Sequence, residues 1–368
     1  MVKRRGIAAL ALGMALVIAA VGCAEDDDFL IGGKRPSSNP TIKPGGSGGS
    51  GGGDGSDIGG GIGAGDKPVA TPTPAPTPSP TPSPTPPPSG TLVHSYPLQR
   101  DTPEGIAFDA QGNAWVANYG DGVVTSAVTK LSDSGQLLAE PAVGIGPKQL
   151  VVDKVGNAWV VNHGGGSITK ITPDGERIHV SVGDGPRDLA FNPQDDTLWI
   201  ALERTEALVK LDPTSMATES VVPVAAKGIA FHDNQVWVSY AASSSVGVYD
   251  LDGSLDREVM IGSRPGLIRA DSEQVWVLTS NGLTRINPAT GQWRDISEAG
   301  TLDLALDSEG NAWITSSSTK LVKKYGPDGA FLNVYPVGTA PHGLAFHPKT
   351  GRLWVTDRDA KRVHVLVP

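Results

Sequence analysis

Seven loops in this 368-residue chain open in the same way, and the residue in second place of each governs what chemistry the protein could do. In order these residues are Glu104, Lys148, Arg187, Lys227, Gly266, Leu302 and His342. Three consecutive cations facing a Glu and a His form a polarised group that could orient a small anionic or polar ligand. A second polar set follows the most apolar strand of the units: Asn118, Tyr119, Asn162, His163, Glu203, Tyr240 and Asp357. The plainer interpretation is a polar, hydrated channel mouth with no ligand. His94, His179, His232, His347 and His364 fall in strands or turns and read as structural. No Ser-His-Asp spacing, phosphate loop, His-Glu-x-x-His or cysteine-based metal motif is present.

What must position these residues is a repeat. A Trp followed by Val or Ile stands at Trp115, Trp159, Trp199, Trp237, Trp276, Trp313 and Trp354, at intervals of 44, 40, 38, 39, 37 and 41 residues. Only Trp293 lies outside the series. That period suits one four-stranded propeller blade. Each unit runs from an apolar strand through a turn such as Asp109-Ala110-Gln111-Gly112-Asn113 to the Trp strand. A third strand (Ser167–Ile171) and an outer strand (Ala330–Tyr335) follow in the best-formed units. The Asp, Asn and Gly of the turns supply hairpin geometry rather than the ligand count of a calcium loop. The tryptophans are expected to pack between neighbouring blades.

The predicted fold is all-β, a seven-bladed β-propeller over residues 90–368. The seventh unit ends at Pro368 without an outer strand, while Gly90-Thr91-Leu92-Val93-His94-Ser95-Tyr96-Pro97-Leu98 aligns without a gap on residues 329–337. The N-terminal strand 90–98 is therefore expected to complete the last blade and close the ring, leaving no open edge. The loops entering the inner strands and those following the Trp strands then share one face.

Charge and composition bound the partners. The chain has 30 basic and 39 acidic residues, a net charge of −9. Loss of Lys3, Arg4 and Arg5 with a signal peptide would leave 27 against 39, or −12. Phosphate binding needs a basic footprint, so nucleic acid is excluded as a partner. One cysteine forbids an intramolecular disulfide. Residues 1–22 read as a signal peptide, with an apolar run from Ile7 to Gly22 that falls short of the ~20 residues of a membrane-spanning helix. Ala20-Val21-Gly22-Cys23 resembles a bacterial lipobox, which implies lipidation of Cys23 and a membrane anchor. Ala24 after it implies outer-membrane sorting in a Gram-negative cell. Residues 23–89 form a Gly/Ser-rich and then Pro/Thr-rich tether, whose second part is expected to be a stiff polyproline rod. The expected product is a monomer, held at the cell envelope, that meets a small polar or anionic ligand or an envelope protein.

The recurring Pro-x-Gly-Leu-Ala-Phe, Gly-Asn-x-Trp-Val and Lys-Leu-x-x-Asp-Gly segments over 90–368 resemble the NHL-type propellers and, among them, the virginiamycin B lyase family. The resemblance implies a Mg²⁺-dependent lyase that opens cyclic depsipeptide lactones, with His342 as acid/base and Asp357 or Glu104 in carboxylate or metal roles. The family's Glu-Pro-His-Gly falls on Ala340-Pro341-His342-Gly343, and its Trp-Phe-x-Glu on Trp354-Val355-Thr356-Asp357. The family's Glu is thus replaced by Ala340, and its second His falls on Leu302; Glu104, across the ring closure, stands where it could substitute. The main expectation is a ligand- or protein-binding scaffold, with no cofactor assigned beyond the Mg²⁺ that the resemblance implies. The alternatives are that lyase and a lactonase-type hydrolase with a metal at the channel mouth.

Overall fold

The computed structural model describes residues 91–120 and 126–368. The proposed signal peptide 1–22, Cys23 and the tether to 89 lie outside the described residues. The described chain forms seven antiparallel four-stranded sheets, so the all-β seven-bladed propeller is what the sequence folds into. The innermost strands are Pro103–Phe108, Pro147–Val152, Pro186–Phe191, Ala226–His232, Pro265–Ala270, Thr301–Leu306 and Pro341–Phe346. Six sheets use four consecutive strands. The seventh runs Thr91–Pro97, Arg362–Val367, Leu353–Asp357, Pro341–Phe346, with Thr91 opposite Val367 and Pro97 opposite Arg362.

The core lies between blades, one apolar cluster at each junction. Trp159 packs with Leu189, Leu198 and Ile200 of the next blade, Trp199 with Ile229 and Val238, and Trp354 with Ile106 and Val116 of the first. The sixth residue of several inner strands meets the preceding blade's indole edge-on: Phe108 on Trp354 at 5.4 Å, Phe231 on Trp199 at 6.0 Å, Phe346 on Trp313 at 5.5 Å. Each such pair contributes about 1 kcal/mol beyond its buried area. Trp293, outside the series, sits on an outer strand and is 43 % exposed.

The Asp turns anchor the indoles. Asp109 Oδ1 accepts the backbone N–H groups of Gln111 and Asn113, and its Oδ2 accepts Asn113 Nδ2 and Trp115 Nε1. Asp153 and Asp307 repeat the arrangement onto Trp159 and Trp313. Their carboxylate oxygens are spent on donors, as a turn requires and a calcium loop forbids.

One irregularity recurs in all seven blades. The pairing of inner strand with Trp strand slips at the second inner residue, which has no partner in the ladder. Such a bulge re-aims its side chain away from the pleat. The bulge is held from the preceding blade by hydroxyls: Thr356 donates to Glu104 O at 2.8 Å, Ser239 to Gly266 O and Thr315 to His342 O, both at 2.5 Å. The third residue sets how closely blades approach. A Cβ at Gly343 would lie 2.1 Å from Glu104 O, so only glycine fits. Where the third residue is Asp188 or Asp303, the carboxylate instead bridges the junction, accepting Ile229 N–H at 3.2 Å and Leu344 N–H at 3.0 Å.

Candidate functional site

Two concentric rings build one mouth of the central channel. The inner ring is the set of bulged residues, Glu104, Lys148, Arg187, Lys227, Gly266, Leu302 and His342. The outer ring is the residue just after each Trp strand: Tyr119, His163, Glu203, Ala241, Ser280, Ser317 and Arg358. In every blade the outer residue's N–H donates to the loop entering the inner strand, from Tyr119 to Thr102 O through to Arg358 to Ala340 O, which ties the rings together. Side chains pair between them. Arg187 Nη1 lies 2.9 Å from Glu203 Oε2 and Lys227 Nζ 3.2 Å from its Oε1. Arg358 Nη2 lies 3.9 Å from Glu104 Oε1, and Lys148 Nζ stands 5.6 Å above the Tyr119 ring.

Four cations thus share this mouth with two carboxylates, in a chain whose net charge is −9. Blades five and six contribute Gly266, Leu302, Ser280 and Ser317, which carry no charge, and Arg264, in the loop entering blade five, is a cation beside them whose Nη2 donates to Ala241 O at 3.4 Å. His163 registers the field of the mouth. Burial, then the charge of Lys148, with Arg187 and Arg204 adding, pushes its imidazole down to about 4, even though Nδ1 contacts Pro186 O at 3.0 Å. Burial would raise the Glu203 carboxyl, but Arg187 and Lys227 prevail and hold it below its ordinary range. Burial also lowers His342; Glu104 opposes and Arg358, Lys148 and Arg187 add to the lowering. Its imidazole is therefore neutral at pH 7, and its buried Nδ1 has no hydrogen-bond partner.

The structure separates other residues from this group. Asn118, Asn162, Tyr240 and Asp357, expected at the mouth, are the last residues of their Trp strands, and strand alternation turns them into the blade. Asn118 Nδ2 donates to Thr129 Oγ1 at 3.0 Å and Asn162 Nδ2 to Thr169 Oγ1 at 2.8 Å, both fully buried. The Tyr240 hydroxyl meets that of Tyr249 at 2.6 Å. Asp357, also fully buried, accepts the N–H groups of Thr339, Ala340 and Ala360, the Thr339 hydroxyl and, at 3.2 Å, His364 Nε2. Burial would raise its carboxyl, and these donors hold it low instead. A carboxylate so occupied locks the loop entering the seventh inner strand. It does not fit the Mg²⁺ role, and Glu104 is faced by Arg358. Among the described residues no three His, Cys, Asp or Glu side chains gather to hold a metal.

Sequence reasoning missed four charged residues. Arg358 occupies the outer-ring place one beyond Asp357, a place its alignment with Tyr119, His163 and Glu203 marks. The other three, Asp188, Arg269 and Asp303, form a cluster at the channel's waist. Arg269 Nη1 lies 2.9 Å from Asp188 Oδ2, two blades away, and burial pushes Asp303 up to about 6 against the opposing pull of Arg269. The signal was a break in a column. The fifth inner residue is Ala107, Val151, Ala190, Ala230, Ala305 or Ala345 in six blades and Arg269 in the remaining one.

With that geometry in place, comparison with known proteins gives the following. No protein-family model matches the chain, and no curated protein does. Among solved structures, a streptogramin B lyase superposes with a TM-score of 0.66 at 19 % identity, over 74 % of this chain and 96 % of that one. Virginiamycin B lyase from Staphylococcus aureus gives 0.66 at 15 %, over 75 % and 98 %. The likeness is one of fold. A hydrazine synthase from Kuenenia stuttgartiensis, at 0.60 and 14 % over 74 % and 97 %, has the same architecture under a different name. Fold at this distance carries no activity across.

Proposed function

We propose that this propeller is a binding module for a small, multiply charged anion at its polar mouth, carried outside the cytoplasm by a lipid anchor on Cys23. The observation that supports it is the unequal pairing of charge: Arg187 and Lys227 share one carboxylate, Glu203, with Lys148 adjacent in the ring. A preorganised excess of cations in a cleft attracts an anion without the cost of assembling the site on binding. The uncharged inner-ring positions Gly266 and Leu302 leave room for a ligand to be oriented rather than merely held.

The test is calorimetric titration of the purified full chain with citrate and with pyrophosphate at low and at physiological salt. The reading requires saturable one-to-one binding that weakens steeply as salt rises. Absence of heat for both anions at low salt would reject it. Replacement Cys23→Ser tests the anchor separately, because it should release the protein from the membrane fraction.

A second reading follows from His342. A neutral, part-exposed imidazole at the mouth, in the field of the Glu104 carboxylate, is equipped to accept a proton from a bound substrate. In this reading the protein is a lyase, as two of its structural neighbours are named, acting without a metal held by Asp357. Incubation with a streptogramin B and chromatography of the ring-opened product decides it, with His342→Gln as the control.

A further inference from the structure

The opposite end of the channel has a separate cavity of about 510 Å³. Its wall comes from inner strands of blades seven, one and six: Ala345 and Phe346, Ala107 and Phe108, Ala305 and Leu306. Arg269 of the fifth blade also lines it, in a column otherwise composed of Ala and Val. A guanidinium has five donors in a planar fork. Here Nη1 is engaged with Asp188 Oδ2 at 2.9 Å and Ile268 O at 2.8 Å. Among the described residues nothing engages Nε or Nη2. Those two nitrogens form the side edge of the fork, where two parallel N–H groups match the two oxygens of one carboxylate. Asp188, itself fixed by Ile229 N–H, holds the other edge still.

We propose that this cavity is a second ligand site, independent of the polar mouth, for a small organic monocarboxylate with an apolar body. The carboxylate takes the free edge of Arg269 and the apolar body lies against Ala107, Phe108, Ala305, Leu306, Ala345 and Phe346. The volume falls within the range of small-molecule pockets, and the lining is apolar but for Arg269 and Asp109, whose carboxylate is already taken up by Asn113, Trp115 and Lys130. The small side chains of the column keep the cavity open. Methyl groups at 107, 305 and 345 leave space that larger residues would fill.

The test uses the full chain and two probes, octanoate and phenylacetate, with octylamine as the opposite-charge control, followed by calorimetry. Arg269→Lys keeps a cation for Asp188 but loses the fork; Ala305→Leu fills the cavity and leaves the guanidinium alone. Saturable binding of either carboxylate, weakened about tenfold or more by both substitutions, with octylamine inert, is the expected result. Which carboxylate binds better tells an aliphatic from an aromatic occupant. Absence of saturation by about 5 mM, equal affinity in Arg269→Lys, or equal binding of octylamine overturns it. Ala305→Leu keeps the test valid if Arg269→Lys fails to fold. Because the polar mouth is untouched by either substitution, citrate binding there should persist, so the two sites fail or stand separately.

Discussion

The two ends of one channel are made from the same seven strands, yet they differ in kind. At the second inner residue the ring reads Glu, Lys, Arg, Lys, Gly, Leu, His; three residues on, it reads Ala, Val, Ala, Ala, Arg, Ala, Ala. The polar end has part-buried charges, from Glu104 at 8 % to Arg358 at 36 % exposed, paired with partial redundancy, Glu203 answering two cations. The other end has a single guanidinium held by a carboxylate that is 1 % exposed. Charge near water is cheap to keep and cheap to lose. Charge buried at the waist is neither, and the difference can be measured.

The largest effect is expected where pairing is not redundant. Arg269→Met leaves Asp188 buried with only Ile229 N–H and no counter-charge, and should lower the free energy of unfolding by about 3–5 kcal/mol in a urea titration. Arg187→Met at the polar mouth should cost about 1 kcal/mol or less, since Glu203 keeps Lys227. Equal losses would erase the contrast.

Acid should act on the two regions with opposite sign. His163 titrates at about 4 in the folded chain against an ordinary value of 6.5, so the unfolded chain takes the proton first. Stability from this group is complete above 6.5 and is lost as pH falls towards 4, a swing on the order of 3 kcal/mol. Asp303, raised from 3.8 to about 6, works the other way. Its folded form keeps the proton longer, so stability is complete below 3.8 and is lost as pH rises through 6, by a similar amount. His163→Gln should therefore become more stable relative to the native chain as pH falls from 6.5 to 4, and Asp303→Asn less stable, in thermal melts across that range.

A smaller effect is expected from Lys227→Met, which leaves Arg187 to satisfy Glu203. Citrate affinity should fall about tenfold at low salt and by less at physiological salt, read by calorimetry. Smallest of all, in the outer ring, is Ser317→Ala, whose hydroxyl makes one 3.3 Å contact with Gly300 O. Citrate affinity there should stay within about twofold of the native chain, a change well under 1 kcal/mol.

The blades were legible because each unit needs one large aromatic at its junction, and the Trp spacing displays that need directly. The inner ring was legible for the same reason, since alignment of the repeats numbers the second position in every strand. The end of the Trp strand was less so. Asn118, Asn162, Tyr240 and Asp357 are polar residues beside a loop, but one step of strand alternation separates inside from mouth, and it is Arg358, not Asp357, that reaches Glu104. Arg269 was hidden differently. A lone Arg near a strand end looks solvated, and nothing local says that its partner, Asp188, stands 81 positions earlier in the chain. Both failures concern side-chain direction across units, which a one-dimensional period does not encode.

The recurrent bulge has a consequence for how such a protein can change. A residue outside the ladder can be replaced without disturbing strand pairing, and the hydroxyls of Thr356, Ser239 and Thr315 grip only the backbone carbonyl behind it. The seven bulged positions therefore behave as interchangeable slots on a fixed frame. Mutation can rewrite the mouth one slot at a time while the junctions of Trp and Phe, which sit elsewhere along the same strands, continue to specify the ring. Gly266 and Leu302 are slots now holding no charge, and they are where a new specificity would be easiest to install.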